Sequence, residues 1–375
     1  MPLRPFISPS RRRDLFALAA LLAITLLFFW KLAFTNLIIA RGDIFYYFYP
    51  YRDYAAEALR AGRIPLWNSY LFMGAPFLAN SQVGFFYPPN LLMAWLDTPR
   101  AINWTIILHV FMAASGVYVF GRARLGLSIS AAWLAAMSFG LGGYLGTQVE
   151  HVNQLQGLAW MGWIFLAYER SVVSGQPPAV SHQKSAILNL RWLLLALLIA
   201  LQLLAGHTQS VFITLVGLGA YAAWPAMETL VIQRSLAFIL QLARRLAPIL
   251  FASIVAIAVS ALQLLPTFEL TQQSARSGGL PVNFAVSFSL DPRLLGRALL
   301  PDYAGAMPAG GEFTAFFGVA ALVLMIVGAL TLKRSTSRAR AMAVVAVIGP
   351  DGWVGLTASP RLLIDILRST FMPGG

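Results

Sequence analysis

Several sets of polar residues stand at the edges of long apolar runs, where their chemistry can be used. Asp43 sits in Arg41-Gly42-Asp43, just after the first apolar run ends. A carboxylate at a bilayer surface, roofed by aromatic loop residues, is partly desolvated. That raises its basicity and suits it to take a proton from a hydroxyl. A solvated interfacial aspartate is the plainer reading of position alone. Glu150 and His151, within Gln148-Val149-Glu150-His151-Val152-Asn153-Gln154, fall at the outer end of a later run. With Asp43 they could bind a divalent cation, or position a phosphate through one, although the spacing matches no recognised metal motif and an ordinary polar turn would read the same way. His207 and Gln209, in Gly206-His207-Thr208-Gln209, separate two short apolar runs. The tip between such runs is expected in a cavity or against a partner helix, with hydrogen bonding between helices as the structural alternative. The last set is cationic: Arg52, Arg60, Arg63, Arg276, Arg293 and Arg297. A guanidinium fork matches a phosphate diester or pyrophosphate, and solvated or headgroup-bound arginines account for most such residues. Arg276 stands out because it follows soon after the run that ends at Pro266.

The elements that must position these residues are membrane helices. The chain has 375 residues, 58% of them hydrophobic and 11% charged, with a mean hydropathy of +0.71. A soluble domain carries about a quarter charged residues, so a bilayer must solvate much of this surface. Eight spans are expected, at roughly 15–36, 101–121, 127–147, 155–169, 190–206, 209–227, 246–265 and 313–332, and a weaker run from Met342 to Ile348 would make a ninth. Arg11 to Arg13 before the first run read as the flank of a retained signal anchor with a cytoplasmic N-terminus. Every second connection is basic (Arg122 and Arg124, Arg170, Lys184 and Arg191, Arg234 with Arg244 and Arg245, then Lys333 to Arg340), as the positive-inside rule requires. The net charge of +13 is therefore a topology signal; no basic stripe interleaved with aromatics points to nucleic acid. There are no cysteines, which excludes disulfides, thiolate metal sites and cysteine nucleophiles.

Two long segments are expected outside, at about 41–100 and 266–312, both folded against the bundle. In the first, Tyr51 to Ala61 predicts a short amphipathic helix lying in the interface, stopped by Gly62. Residues 1–340 are read as one transmembrane domain, and 341–375 as a C-terminal segment of uncertain organisation, as in a truncated chain.

No P-loop, HExxH, GxSxG or DxD pattern is present, which argues against ATP coupling by this chain and against a metal-bound nucleotide-sugar donor. The first outside loop reads Gly42-Asp43, Tyr49-Pro50, Gly62-Arg63-Ile64-Pro65-Leu66-Trp67-Asn68, Gly74-Ala75-Pro76, Asn80-Ser81-Gln82 and Phe86-Tyr87-Pro88-Pro89-Asn90. This order resembles the bacterial YfhO family of membrane proteins, which is similar to GT-C glycosyltransferases. Gly206-His207-Thr208-Gln209, Leu264-Leu265-Pro266 with Glu269, and Arg276 are looser matches. The resemblance implies an all-α, GT-C-like bundle of about 8–9 transmembrane helices with two long extracytoplasmic loops, in the bacterial cytoplasmic membrane. It implies a polyprenyl-phosphate sugar as donor and an extracytoplasmic glycan, lipid or protein as acceptor. Carried over by position, the catalytic acidic residue is Asp43; this chain has a lone Asp where many GT-C members have a pair, which leaves metal dependence open. Arg52, Arg63 and Arg276 would meet the donor phosphate, and Trp67, Asn68, Gln82, Glu150, His151, His207 and Gln209 would complete the substrate site. Two rival readings stand beside this one: a transporter or flippase for a lipid-linked intermediate, and a non-catalytic membrane assembly protein.

Overall fold

In the computed structural model the described residues are 10–173, 190–233, 237–274, 277–279, 323, 326–328, 330 and 336–348. They are mostly helical, with a single two-stranded ribbon. The helices are α1 (Ser10–Phe28), α2 (Trp30–Phe34), α3 (Tyr49–Arg60), α4 (Pro88–Met93), α5 (Thr98–Phe120), α6 (Ile129–Gly140), α7 (Gly143–Thr147), α8 (Val152–Leu158), α9 (Met161–Val173), α10 (Leu190–Leu204), α11 (Thr208–Gln233), α12 (Ala237–Val259), α13 (Ala261–Gln272) and α14 (Ser337–Ile348).

Four helical stretches are long and apolar enough to cross a membrane, Thr98–Leu125, Ile129–Glu150 (with a bend at Leu141–Gly142), Thr208–Glu228 and Phe238–Val259. The other expected spans are shorter or interrupted. The first breaks between α1 and α2 at Phe29, and the fourth between α8 and α9 around Trp160. α10 has only 15 residues. The seventh begins earlier than expected and takes Arg244 and Arg245 into α12. The eighth, 313–332, lies almost wholly outside the described residues, as do Arg276, Arg293, Arg297 and most of the 266–312 loop.

α5 is the central element, packed by α1, α6, α8 and α9. Thr98 and Arg122 lie 24 residues apart on this stretch, roughly 36 Å of helix, enough to carry a chain across a hydrocarbon core. Close backbone approach sets the α5–α9 crossing: a Cβ on Gly162 would meet the backbone of Gly116. Small residues at a helix crossing are the usual way to gain packing where apolar burial supplies little drive.

The two ends of the bundle carry different charge chemistry. At the Arg122 end, Arg122 pairs with Asp14 at 2.7 Å, Arg338 with Glu169 at 3.0 Å and Arg340 with Glu228 at 2.6 Å. The Tyr118 hydroxyl donates to Asp14 and the Tyr221 hydroxyl to the buried Glu169. Asp53, accepting from the Thr98 hydroxyl at 2.7 Å, marks the opposite end.

The 41–100 loop is folded, as its composition predicts. α3 ends in a Schellman motif: Gly62 has φ +67°, its N–H donates to the Leu59 carbonyl and the Arg63 N–H to the Ala58 carbonyl. The tyrosine face of α3 does not lie on lipid, however. Tyr51 stacks on Phe77 and Tyr54 meets it edge-on, and both pack against a small core of Phe77, Leu78, Val83 and Phe85. The aromatic core of the loop outcompetes the interface for that face.

Candidate functional site

Asp43 opens a helical run that passes through a π-turn, Ile44–Phe48, into α3. π-turns are uncommon and are frequently found at functional sites. Gly42, with φ +52°, lets the chain turn here, and a Cβ at this position would collide with the Glu150 carboxylate. The Asp43 turn therefore sits directly on the Gln148–His151 turn, and residues over a hundred positions apart become neighbours.

The chemistry divides within that contact. Glu150 pairs with Arg41 at 3.0 Å. His151 turns Nε2 to Asp43 at 3.4 Å and Nδ1 to the Gln148 side-chain oxygen at 3.0 Å. With Gln148 accepting from Nδ1–H, Nε2 is the nitrogen that faces the Asp43 carboxylate, and the contact is an ion pair only when the imidazole carries both protons. The Asp43 side chain is 57% exposed. It is open to an incoming hydroxyl, and the desolvation expected from its position is not supplied by the protein alone. Among the described residues no group of three or more His, Asp or Glu is arranged to hold a metal ion.

His207 joins the same region, close enough for its charge to feel that of His151. Burial pushes the His207 imidazole down to about 4, with the neighbouring His151 adding to the effect. It is neutral at ordinary pH, and its Nδ1 lies 2.7 Å from the Ser210 hydroxyl. The hairpin tip that carries it is covered by the first loop: Gly206 packs against the Ser81 carbonyl, and Asn153 donates to the Gly206 carbonyl at 3.3 Å. The tip is thus held against the 41–100 loop. Gln209 itself is exposed.

Arg52 is the most distinctive cation. It projects from α3 toward α8, donates to the Gln156 side-chain oxygen at 3.1 Å, and is only partly exposed. Among the described residues no carboxylate lies within ion-pair distance of it. Burial takes its guanidinium down to about 10, which still leaves it cationic at pH 7. It lines a small, mainly apolar, partly open cleft with Leu59, Phe85, Leu91, Ile102 and Val152 among the walls. Val152 follows His151 directly, so one wall of the cleft leads to the Asp43 pair. Tyr47 stands between them, near both the Arg52 and the Asp43 charges, and its hydroxyl accepts from the Asn80 amide at 2.6 Å. Burial holds the Tyr47 and Tyr87 phenols well above their usual range, so both stay protonated.

Several members of this site are absent from the residues singled out by sequence. Gln156 also donates to Asn90 at 2.6 Å, and Asn90 to the Gly84 carbonyl at 2.8 Å. Tyr87 meets His109 Nε2 at 2.9 Å and accepts from the Trp160 indole at 2.8 Å. A buried glutamine inside an apolar run was the available signal for Gln156. Other candidates lie elsewhere. Trp67 and Asn68 belong to a β-hairpin, with the Trp67 indole over Gly74 and the Asn68 side chain accepting from the Tyr70 N–H at 2.9 Å. Arg63 is exposed at the start of that hairpin, and Gln82 is exposed beside Asn80.

No family model matches the chain, and neither the curated proteins nor the solved structures compared with it give a match.

Proposed function

We propose that this chain is a GT-C-like membrane glycosyltransferase, in a bundle of eight or nine spans with its N-terminus in the cytoplasm of a bacterial cell. It would transfer sugar from a polyprenyl-phosphate donor to an extracytoplasmic glycan, lipid or protein. The observation that carries the reading is Arg52: a half-buried guanidinium without a carboxylate partner among the described residues, facing an apolar cleft whose wall leads to the Asp43–His151 pair. An apolar cleft with a single cation suits a lipid phosphate better than a soluble nucleotide, which would ask for a wider polar surface.

In this reading the polyprenyl chain lies along Leu59, Leu91 and Ile102, and the phosphate meets Arg52. An acceptor hydroxyl gives its proton to Asp43. Its oxygen bonds to the anomeric carbon as the bond from that carbon to the phosphate oxygen breaks. The lipid phosphate leaves with the bonding pair, its charge met by Arg52 and by the protonated Tyr47 hydroxyl. Holding both substrates in one cleft supplies the positioning term. The test is transfer of label from a polyprenyl-phosphate sugar by the purified chain in lipid. Wild-type activity lost in Asp43→Asn at normal expression supports the assignment; full activity in that variant removes Asp43 as the base.

A further inference from the structure

The hairpin that took Trp67 and Asn68 away from the cleft has its own chemistry. Its strands are β1 (Trp67–Asn68) and β2 (Ala75–Pro76), paired Trp67 to Pro76 and Asn68 to Ala75. The base is well tied. The Tyr54 hydroxyl donates to the Trp67 carbonyl at 2.8 Å, the Phe77 N–H donates to the Leu66 carbonyl at 2.9 Å, and Asn68 is buried. The tip is built differently. Phe72 and Met73 have φ of +47° and +68°, followed by Gly74 at +120°. Consecutive bulky residues in the left-handed region are uncommon. The result is outward projection: Tyr70 is 81% exposed, Phe72 94% and Met73 102%. An apolar core of Phe77, Leu78, Val83 and Phe85 lies in the same loop, and Tyr70 reaches its edge through Tyr54, ring centroids 6.0 Å apart, while Phe72 and Met73 stand almost fully exposed.

Two arginines precede the hairpin in the chain. Arg60 and Arg63 are exposed, and neither forms an ion pair among the described residues. They stand on the side of the bundle where the positive-inside rule disfavours cations, so topology does not account for them. Apolar and aromatic side chains at a tip, with cations at its root, are the arrangement of an interfacial anchor: the tip enters the acyl boundary and the cations meet phosphate headgroups. The loop is also tethered on both sides, by α2 before it and by α5 after it, which keeps it at the bilayer surface.

We infer that the 69–74 tip is a membrane-dipping finger that seats Tyr70, Phe72 and Met73 in the leaflet on the loop's own side, with Arg60 and Arg63 on the lipid phosphates. The inference stands apart from the proposed transfer reaction and needs only the membrane-spanning fold.

The absence of cysteine makes the test direct, because one introduced thiol takes one label. The full chain carrying Phe72→Cys is labelled with an environment-sensitive fluorophore and reconstituted in phosphatidylethanolamine–phosphatidylglycerol vesicles. Glu57→Cys, on the exposed side of α3, is the aqueous control. The label at 72 should be quenched by lipids spin-labelled high on the acyl chain roughly threefold more than the label at 57, and by aqueous iodide correspondingly less. Adding Arg60→Gln and Arg63→Gln should shift the label at 72 toward iodide. Equal iodide access at 72 and 57 overturns the inference. Protection at 72 from both quenchers overturns it too, because that places the tip against protein, either a second copy or a partner.

Discussion

Replacing Arg52 with methionine should stabilise the fold and weaken donor binding at once. Methionine fills most of the same apolar path without the charge. Burial takes the Arg52 guanidinium from its ordinary value down to about 10, which amounts to about 3 kcal/mol against the charged form. Both values lie above pH 7, so the native chain carries that whole cost there. The variant also loses the hydrogen bond to Gln156, worth about 1–2 kcal/mol because it leaves a half-buried amide oxygen short of a donor. The net expectation is about 1–2 kcal/mol of stabilisation, read as a rise of a few degrees in the thermal midpoint in detergent. A lost charge-assisted contact to phosphate should cost about 1.5–3 kcal/mol of donor binding, or roughly a 10- to 150-fold rise in the donor KM. Thermal unfolding and donor titration on the same preparation provide both readouts. A midpoint lowered by several degrees would show that Arg52 serves a paired structural role. An unchanged donor KM would remove the phosphate from its neighbourhood.

Two further outcomes follow from the same packing. His207 has a folded-state value of about 4 against an ordinary 6.5, so the unfolded chain takes up its proton first; stability is full above about pH 6.5 and falls as pH drops toward 4, by up to about 3 kcal/mol. His207→Gln should flatten that part of a midpoint-against-pH curve, and parallel curves for the two proteins would contradict the burial argument. Gly162→Leu should cost about 1–3 kcal/mol or more in the thermal midpoint, since its Cβ would meet the Gly116 backbone, whereas Gly146→Ala, with open space around it, should be neutral or slightly stabilising.

How far the sequence could be read depended on the range of the interactions involved. α3 was legible because its apolar spacing and Gly62 are local signals, and the structure places it at Tyr49–Arg60. Its surroundings were not: whether Tyr51 and Tyr54 meet lipid or Phe77 depends on how the loop folds, which periodicity does not carry. Not every expected crossing is a single helix among the described residues, for a similar reason. An apolar run such as 155–169 reads as one crossing, but the helix is interrupted around Trp160, where the indole reaches Tyr87. Asp43, Glu150, His151 and His207 could each be singled out as polar residues at the ends of apolar runs. The grouping of Glu150 and His151 with Asp43 could be suggested too, but its geometry and the approach of His207 could not, because they depend on Gly42 sitting against Glu150 and Gly206 against Ser81. Trp67 and Asn68 entered as substrate residues through the resemblance of the loop motif; the structure adds that they belong to the hairpin. Arg52 was one exterior arginine among several in the sequence, and only burial beside Gln156 and the cleft sets it apart.

The central claim is most directly tested by a transfer assay with the purified chain in lipid, using radiolabelled polyprenyl-phosphate sugars and a membrane extract as the source of acceptor. Label should appear on an extract component with wild type and be lost in Asp43→Asn at equal folded protein. Transfer that is undiminished in Asp43→Asn would contradict the assignment of Asp43 as the base. Movement of labelled lipid across the vesicle membrane without any sugar transfer would contradict the enzyme reading and leave a lipid transporter in its place.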